Sequence, residues 1–335
     1  MTILFSRRSL LGVALGGPQF LRYATVTAGQ ATPVATRETP QPLDALLASC
    51  DSIFGIVVIG PGDSIAFQHN VNSPFVSASL YKLVLLADIL AAVEAGDLSL
   101  TDKMAITDDV YVEANGADSY FAPDAVGYEA PLEELLYAAG AYSSNVAALT
   151  LMTKTSIARL NALALDLGMT GTHYWATTNT VDDLYPGTDG AATTEDLARS
   201  IAFARSFAFG GTINLTTPGD MAWFWRLLRD DDLISPLVCW RLRRILTAEV
   251  IPDRIPALLP RSANVIHKTG NLPGVLHDVG LIETTSGSAI VVAMAQAVTD
   301  LDMTFVVEQR MGLFGYELIA DAGVTSPTAA ATPSA

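Results

Sequence analysis

The sequence predicts an α/β fold in which one sheet is assembled from both ends of the chain. Residues 53–59 form an apolar run that predicts a strand, and a Pro-Gly-Asp turn separates it from a partner strand at residues 64–68. Two further strands are predicted near the other terminus, at residues 275–283 and 289–297. Because helical patterns occupy the sequence between these groups, the N-terminal and C-terminal strands must meet to complete the sheet.

Helices are predicted at four places. Residues 83–93 are apolar almost throughout, which predicts a helix buried on nearly all sides. Residues 132–142 and 146–152 predict two helical segments with a short break between them. Apolar residues recur at helical spacing over residues 304–320, so a helix is also expected after the last strand.

A β-hairpin is predicted around the turn Asn271-Leu272-Pro273-Gly274. The strand-like run 264–267 precedes it, and an alternating run begins at Val275 on its other side. Lys268 to Asn271 therefore fall at the end of the first strand of this hairpin.

The segment Ser79-Leu80-Tyr81-Lys82, at the start of the predicted buried helix, indicates a serine nucleophile. A lysine three residues after a serine lies on the same helix face, and its amine can take the hydroxyl proton if its pKa is lowered. Taken alone, the pattern also fits a helix-capping serine followed by a solvated lysine. The apolar helix that follows favours a buried Lys82.

Two other short segments complete a candidate site. Ser143-Ser144-Asn145 places hydroxyls and an amide at the break between two helices, and Lys268-Thr269-Gly270 ends a strand. The order S-x-x-K, S-x-N, K-T-G resembles the signature set of class A β-lactamases and penicillin-binding proteins. The resemblance extends from about residue 43 to about residue 320 and includes residues 93–100, 167–170 and 216–222.

This resemblance implies a five-stranded antiparallel sheet packed by helices, with an all-helical lobe and the site in the cleft between them. Ser79 would be the acylated nucleophile, and Lys82 would help to activate it. Ser143 would relay a proton to the departing nitrogen, while Asn145 would hold Lys82 and a substrate amide. Tyr142 directly precedes this motif and is a candidate to flank the substrate.

The K-T-G segment would bind the substrate in the resembled family. Lys268 would add positive charge near a substrate carboxylate, and Thr269 with Asn271 would hydrogen-bond to it, beside Gly270. The oxyanion hole would consist of the backbone N–H groups of Ser79 and Asn271.

One part of the family pattern is missing. The Glu-x-x-Leu-Asn stretch, whose glutamate activates the deacylating water in class A enzymes, does not occur. Glu195 is a candidate replacement, although Thr194 can instead cap a helix with Glu195 in its first turn. Asp182 and Asp183 are further candidates, or solvated loop residues. The sequence therefore supports acylation better than fast turnover.

Three functions remain open at this point. The first is a β-lactamase-like serine hydrolase acting on cyclic amides, with slow deacylation or a non-standard base. The second is a cell-wall D-alanyl-D-alanine carboxypeptidase, or a related amidase or esterase. The third is a penicillin-recognising binding module without turnover, against which the intact motifs argue.

The N-terminal segment predicts export. Arg7 and Arg8 precede a short, moderately apolar stretch, so residues 1–31 resemble a twin-arginine signal, and the stretch is too short for a stable membrane anchor. The protein is therefore expected in the periplasm or outside the cell. Residues 32–42 form a Pro/Thr-rich linker, residues 43–322 the hydrolase domain, and residues 323–335 a disordered Ala/Thr/Pro tail.

Charge and composition limit the partners. With 19 basic and 35 acidic residues, the net charge of −16 disfavours nucleic acids and anionic membranes as ligands. We expect a monomer that binds a small-molecule substrate. The four histidines are scattered, and a serine mechanism needs no metal, so neither a metal nor a cofactor is expected.

Several individual residues have two interpretations. Cys50 and Cys239 can form a disulfide in an exported protein or remain two buried thiols. His267 can tune Lys268 or pack within its strand. His277 can contact substrate or have a structural role.

Overall fold

The main sheet joins strands from both ends of the chain. The structure, a computed structural model, describes residues 43–114, 118–175, 213–298 and 300–324. The strands within these ranges are β1 (Ile53–Ile59), β2 (Ile65–His69), β3 (Phe75–Val76), β4 (Lys103–Ala105), β5 (Glu129–Pro131), β6 (Leu215–Thr216), β7 (Asn264–Leu272), β8 (Val275–Thr284) and β9 (Gly287–Gln296). Five antiparallel strands form the main sheet in the order β2-β1-β9-β8-β7. The predicted sheet is therefore confirmed.

Several of the described helices begin where the sequence supplies a capping residue. Those described are α1 (Leu43–Ala48), α2 (Tyr81–Ala95), α3 (Asp108–Glu113), α4 (Leu132–Ala141), α5 (Asn145–Met152), α6 (Ile157–Asp166), α7 (Pro218–Arg229), α8 (Pro236–Leu246) and α9 (Leu301–Val324). A serine or threonine side chain accepts a hydrogen bond from the N–H three residues on at the start of five of them: Thr107, Ser144, Ser156, Thr217 and Ser235. Such caps satisfy N–H groups that have no partner within the helix.

Helix α2 is the centre of a helical lobe. Its residues from Tyr81 to Leu90 are buried, because α4, α5, α6 and α8 pack around it. The buried helix that the apolar run predicts is confirmed, although it begins at Tyr81, after a 3₁₀ turn at Ala78–Leu80. This arrangement places Ser79 at the boundary between the helical lobe and the sheet.

Helices cover both faces of the main sheet. Helix α7 packs against β1, β8 and β9, and α9 packs against β9 and β8. The residues from the sheet fall into two different apolar clusters: Val279 and Val292 with the helical lobe, and Val291 and Ala293 with α9. The fold is the mixed α/β arrangement expected from the sequence. The pairs β3–β6 and β4–β5 are too short to leave a periodic pattern, and the sequence did not indicate them.

Further expectations concern the two cysteines, the ends of the chain and membrane-spanning helices. Cys50 and Cys239 are both free thiols, and Cys239 is buried. The expected export signal, the linker and most of the C-terminal tail lie outside the described residues. None of the helices that the structure describes combines the length and apolar character needed to cross a membrane.

Candidate active site

Ser79 lies in a tightly held turn. Ala78, the residue before it, has a φ of 44°, a left-handed conformation that residues with a side chain rarely adopt. Upstream, the N–H of Ser77 donates to the carbonyl of Asn214 at 2.8 Å, which fixes the entry to the turn. Unusual backbone conformations of this kind are found at functional sites, where the surrounding structure maintains them. Ser79 itself is half-buried.

Lys82 is fully buried, and its amine contacts the S-x-N segment. Its Nζ donates to the carbonyl of Ser143 at 2.5 Å and to Oδ1 of Asn145 at 2.7 Å, and lies 3.4 Å from Oγ of Ser143. Burial first, and then the positive charge of Lys268, hold the pKa of Lys82 well below its usual value. A lowered pKa favours the neutral amine, which is the form that can accept a proton.

The S-x-N segment connects α4 to α5. Ser143 has a φ of 57°, the second left-handed residue in the site, and Ser144 caps α5 by accepting from the N–H of Ala147 at 2.9 Å. The structure thus brings Ser143 and Asn145 to Lys82, although 61 and 63 residues separate them in sequence.

Asp118 anchors this segment and was not singled out from the sequence. Its Oδ2 accepts from the N–H groups of Asn145 and Val146 at 2.8 and 3.0 Å, and its Oδ1 accepts from the hydroxyl of Ser144 at 2.8 Å. A single aspartate in a loop has no periodic or motif signal. Its role follows only from the contact across 26 to 28 residues of sequence.

The K-T-G segment lies on β7, the edge strand of the main sheet, which packs against the Ser79 turn. A side chain at Gly270 would begin 3.3 Å from both Ala78 Cβ and Leu80 Cγ, so glycine permits this close approach. Alternate N–H groups of an edge strand point away from the sheet, which is the arrangement that an oxyanion hole uses.

Lys268 is paired with an acidic residue, Glu249, that no sequence pattern indicated. Its Nζ lies 3.2 Å from Oε2 of Glu249 and donates to the carbonyl of Thr269 at 3.0 Å. Both charged side chains are fully buried. The hydroxyl of Thr269 lies 3.5 Å from Oε1 of the same glutamate. The positive charge expected to face a substrate carboxylate is therefore already paired.

Asn271 and Tyr142, the remaining candidates for substrate binding, both contact other side chains of the protein. Asn271 is exposed, but its side-chain carbonyl accepts from Nη2 of Arg254 at 2.6 Å. The ring of Tyr142 packs edge-on against Tyr120 and Tyr137, with centroids 5.0 and 5.7 Å away. This aromatic cluster joins the end of α4 to the loop that carries Asp118.

The candidate bases for deacylation are among the residues that the structure does not describe. Glu195, Asp182 and Asp183 lie in the segment 176–212, outside the described residues. Within the ranges that are described, no three His, Cys, Asp or Glu side chains are grouped so as to hold a metal ion.

The two strand histidines have structural contacts. Nδ1 of His267 pairs with Oδ1 of Asp278 at 2.8 Å. His277 is fully buried; its Nε2 lies 2.7 Å from the carbonyl of Val76, and its Nδ1 lies 2.7 Å from the carbonyl of Leu276 and 3.2 Å from the N–H of Ala295. His277 thus ties β8 to the strand just before the Ser79 turn. Of the two interpretations of His277, its contacts fit the structural one, because its side chain has no exposed surface.

His277 is expected to make stability depend on pH. Burial lowers its pKa to about 4 from an ordinary value of 6.5. Between pH 6.5 and about 4, this histidine binds a proton in the unfolded chain but not in the folded protein. The stabilisation that neutral His277 provides is therefore complete above pH 6.5 and is lost as pH falls towards 4. A difference of about 2.5 pKa units corresponds to roughly 3 kcal/mol of unfolding free energy.

Urea unfolding of the native protein and of His277→Gln, at several pH values from 7.5 to 4.5, measures this contribution. The variant should have a flatter dependence of unfolding free energy on pH. His69→Gln, at an exposed position in β2, is the matched control and should follow the native curve. Identical slopes for the native protein and His277→Gln would contradict the expectation.

Comparison with known proteins places this geometry in context. A model of a β-lactamase enzyme family matches residues 40–310. Among solved structures, a β-lactamase from Sphaerobacter thermophilus DSM 20745 is 22% identical, with a TM-score of 0.67 over 85% of this chain and 98% of that one. A β-lactamase from Xanthomonas campestris pv. campestris str. ATCC 33913 is 21% identical (TM-score 0.64; 84% and 95%). A variant of PBP-A, in an acyl-enzyme complex with penicillin G, is 18% identical (TM-score 0.66; 83% and 94%). No curated protein sequence matches the chain. At these identities, the solved structures show a shared fold.

Proposed function

The chain belongs to the β-lactamase enzyme family, and we propose that it is a serine hydrolase in which a β-lactam or a related amide or ester acylates Ser79. The observation that carries this proposal is the buried amine of Lys82, which lies one helical turn after Ser79 and contacts both Ser143 and Asn145. A buried lysine with a lowered pKa, one helical turn from a serine, can act as a base, because its neutral amine takes up a proton.

The acylation step follows from these positions. The hydroxyl oxygen of Ser79 attacks the carbonyl carbon, and its proton passes to the neutral amine of Lys82. Negative charge then develops on the carbonyl oxygen, where the N–H groups of Ser79 and Asn271 are proposed to stabilise it. As the C–N bond breaks, the departing nitrogen takes a proton through the hydroxyl of Ser143. Lys82 returns to its neutral form, and the acyl group remains on Ser79 as an ester.

Turnover requires a further base. Water must attack the ester and release Ser79, and this needs a group that accepts a proton from the water. The Glu-x-x-Leu-Asn stretch is missing from the sequence, and Glu195 remains the proposed replacement. Slow deacylation would suit a D-alanyl-D-alanine carboxypeptidase-like enzyme or a penicillin-recognising module, and the likeness to PBP-A as an acyl-enzyme is in keeping with that alternative.

The proposal includes export, which rests on Arg7 and Arg8 before a short apolar stretch. The enzyme would then work as a monomer in the periplasm or outside the cell. Mass determination of the protein recovered outside the cytoplasm would show whether residues 1–31, the predicted export signal, have been removed.

Intact-protein mass spectrometry over time, after addition of penicillin G, tests the function. The native protein should gain the mass of one penicillin, and Ser79→Ala should not. Ser286→Ala, in the exposed turn before β9, is the control and should behave as the native protein does.

The lifetime of the adduct separates the alternatives. A transient adduct with accumulating product would indicate a β-lactamase, and one that persists for hours would favour the cell-wall or sensor functions. A folded native protein that forms no adduct with either penicillin G or its methyl ester would overturn the assignment of a penicillin-recognising site.

A further inference from the structure

Glu249 brings a carboxylate to the K-T-G motif from a different part of the chain. It follows α8, and its own N–H donates to the carbonyl of Leu246 at 3.2 Å. The next residue, Val250, donates its N–H to the carbonyl of Ala141 at 3.1 Å, two residues before Ser143. The backbone on both sides is therefore fixed, and the carboxylate lies beside Lys268 and Thr269.

The pair formed by Glu249 and Lys268 is stable as a unit. The two charged atoms are 3.2 Å apart, and neither side chain is exposed. Separating the charges would leave each of them buried without a partner, which is strongly unfavourable. The lysine ammonium is therefore not available to balance the charge of a second carboxylate.

No other motif cation makes up for this neutralisation. Burial and the positive charge of Lys268 lower the pKa of Lys82, which disfavours its charged form. Arg254 lies nearby, but its Nε lies 3.8 Å from Oδ1 of Asp253 and 3.6 Å from Oε2 of Glu308. Its Nη1 donates to the carbonyl of His277 at 2.7 Å and its Nη2 to Oδ1 of Asn271 at 2.6 Å. Among the described residues around the K-T-G motif, Lys268 and Arg254 therefore each have a carboxylate beside them already.

We propose that Glu249 makes the site select acyl donors that have no free carboxylate next to the scissile bond, such as esters and uncharged amides. This inference rests on the proposed acylation of Ser79 and specifies the substrate class of the same site. A substrate carboxylate placed against Lys268 and Thr269 would meet the carboxylate of Glu249. Like charges brought together at a binding site disfavour the complex.

Two probes, penicillin G and its methyl ester, test the proposal, because the ester lacks the negative charge of the carboxylate and differs otherwise by one methyl group. Acylation rates of the native protein are measured with both by intact-protein mass spectrometry. The native protein should react with the methyl ester at least as fast as with the acid. Glu249→Gln should shift the ratio of the two rates towards the acid by about tenfold or more, the equivalent of about 1.4 kcal/mol.

Two matched variants control for charge and for folding. Glu249→Asp keeps the carboxylate and should keep the native preference. Glu129→Gln removes one negative charge at an exposed position in β5 and should leave the ratio of rates unchanged.

The possible results separate failure of the substrate selectivity from failure of the proposed acylation of Ser79. A native protein that reacts with the acid faster than with the ester would overturn the selectivity and leave acylation of Ser79 standing. An unchanged ratio in folded Glu249→Gln would likewise remove Glu249 as its cause. Absence of any adduct with either probe would overturn the proposed function, and this inference with it.

Discussion

Replacing Lys82 by methionine is expected to slow acylation of Ser79 by about 10²–10⁴-fold, the range typical of a lost general base. The same change should leave the protein at least as stable as before. A buried amine with a strongly lowered pKa costs folding free energy, and methionine fills a similar volume without a polar atom that needs a partner. The carbonyl of Ser143 and Oδ1 of Asn145 lose a donor, which offsets part of this gain.

Acylation rates with penicillin G and urea unfolding at pH 7.5 measure the two effects. Lys103→Met, at an exposed position in β4, provides the control and should alter neither quantity. A Lys82→Met protein that acylates within about tenfold of the native rate would show that another group takes the proton from Ser79.

Asp118→Ala is expected to lower both stability and the rate of acylation. The carboxylate accepts five hydrogen bonds, from the hydroxyl of Ser144 and from the N–H groups of Asn145, Val146, Tyr120 and Phe121. Loss of a helix-capping carboxylate with several donors should cost about 2–4 kcal/mol of unfolding free energy. Displacement of the S-x-N segment by about 1 Å should slow acylation by about 10²-fold.

A second substitution separates positioning from general destabilisation. The class A signature set has aspartate at the middle position of its second motif, where this chain has Ser144. Ser144→Asp in the Asp118→Ala background returns a carboxylate to the start of α5 and should recover much of the acylation rate. Normal acylation by Asp118→Ala alone would mean that Ser143 and Asn145 keep their places without it.

The sequence predicted those parts of the fold that have a long local pattern. The apolar run that forms α2 and the strands β7 to β9 extend over nine or more residues each, and long patterned segments are the most reliable signal. The resemblance implies that Asn145 holds Lys82, and the structure contains that contact together with one between Lys82 and Ser143.

Asp118 and Glu249 could not be found in this way. Each is a single acidic residue outside a regular element, and each acts on a motif 19 or more residues away in sequence. Isolated acidic residues in loops are usually solvated, so nothing in the local sequence distinguishes these two from the others. Their roles depend on three-dimensional proximity, which only the assembled fold supplies.

The position of β9 between β1 and β8 has a consequence for biosynthesis. All the motif residues, from Ser79 to Asn271, precede β9 in the sequence. Strand β1 is nonetheless paired with β9 along its whole length, from Ile53 opposite Gln296 to Ile59 opposite Ile290. Pairing between such distant segments is slow to form, and an apolar strand waiting for its partner tends to aggregate. A chain that stops before β9 would therefore contain every motif residue and still be unable to hold Gly270 against the Ser79 turn.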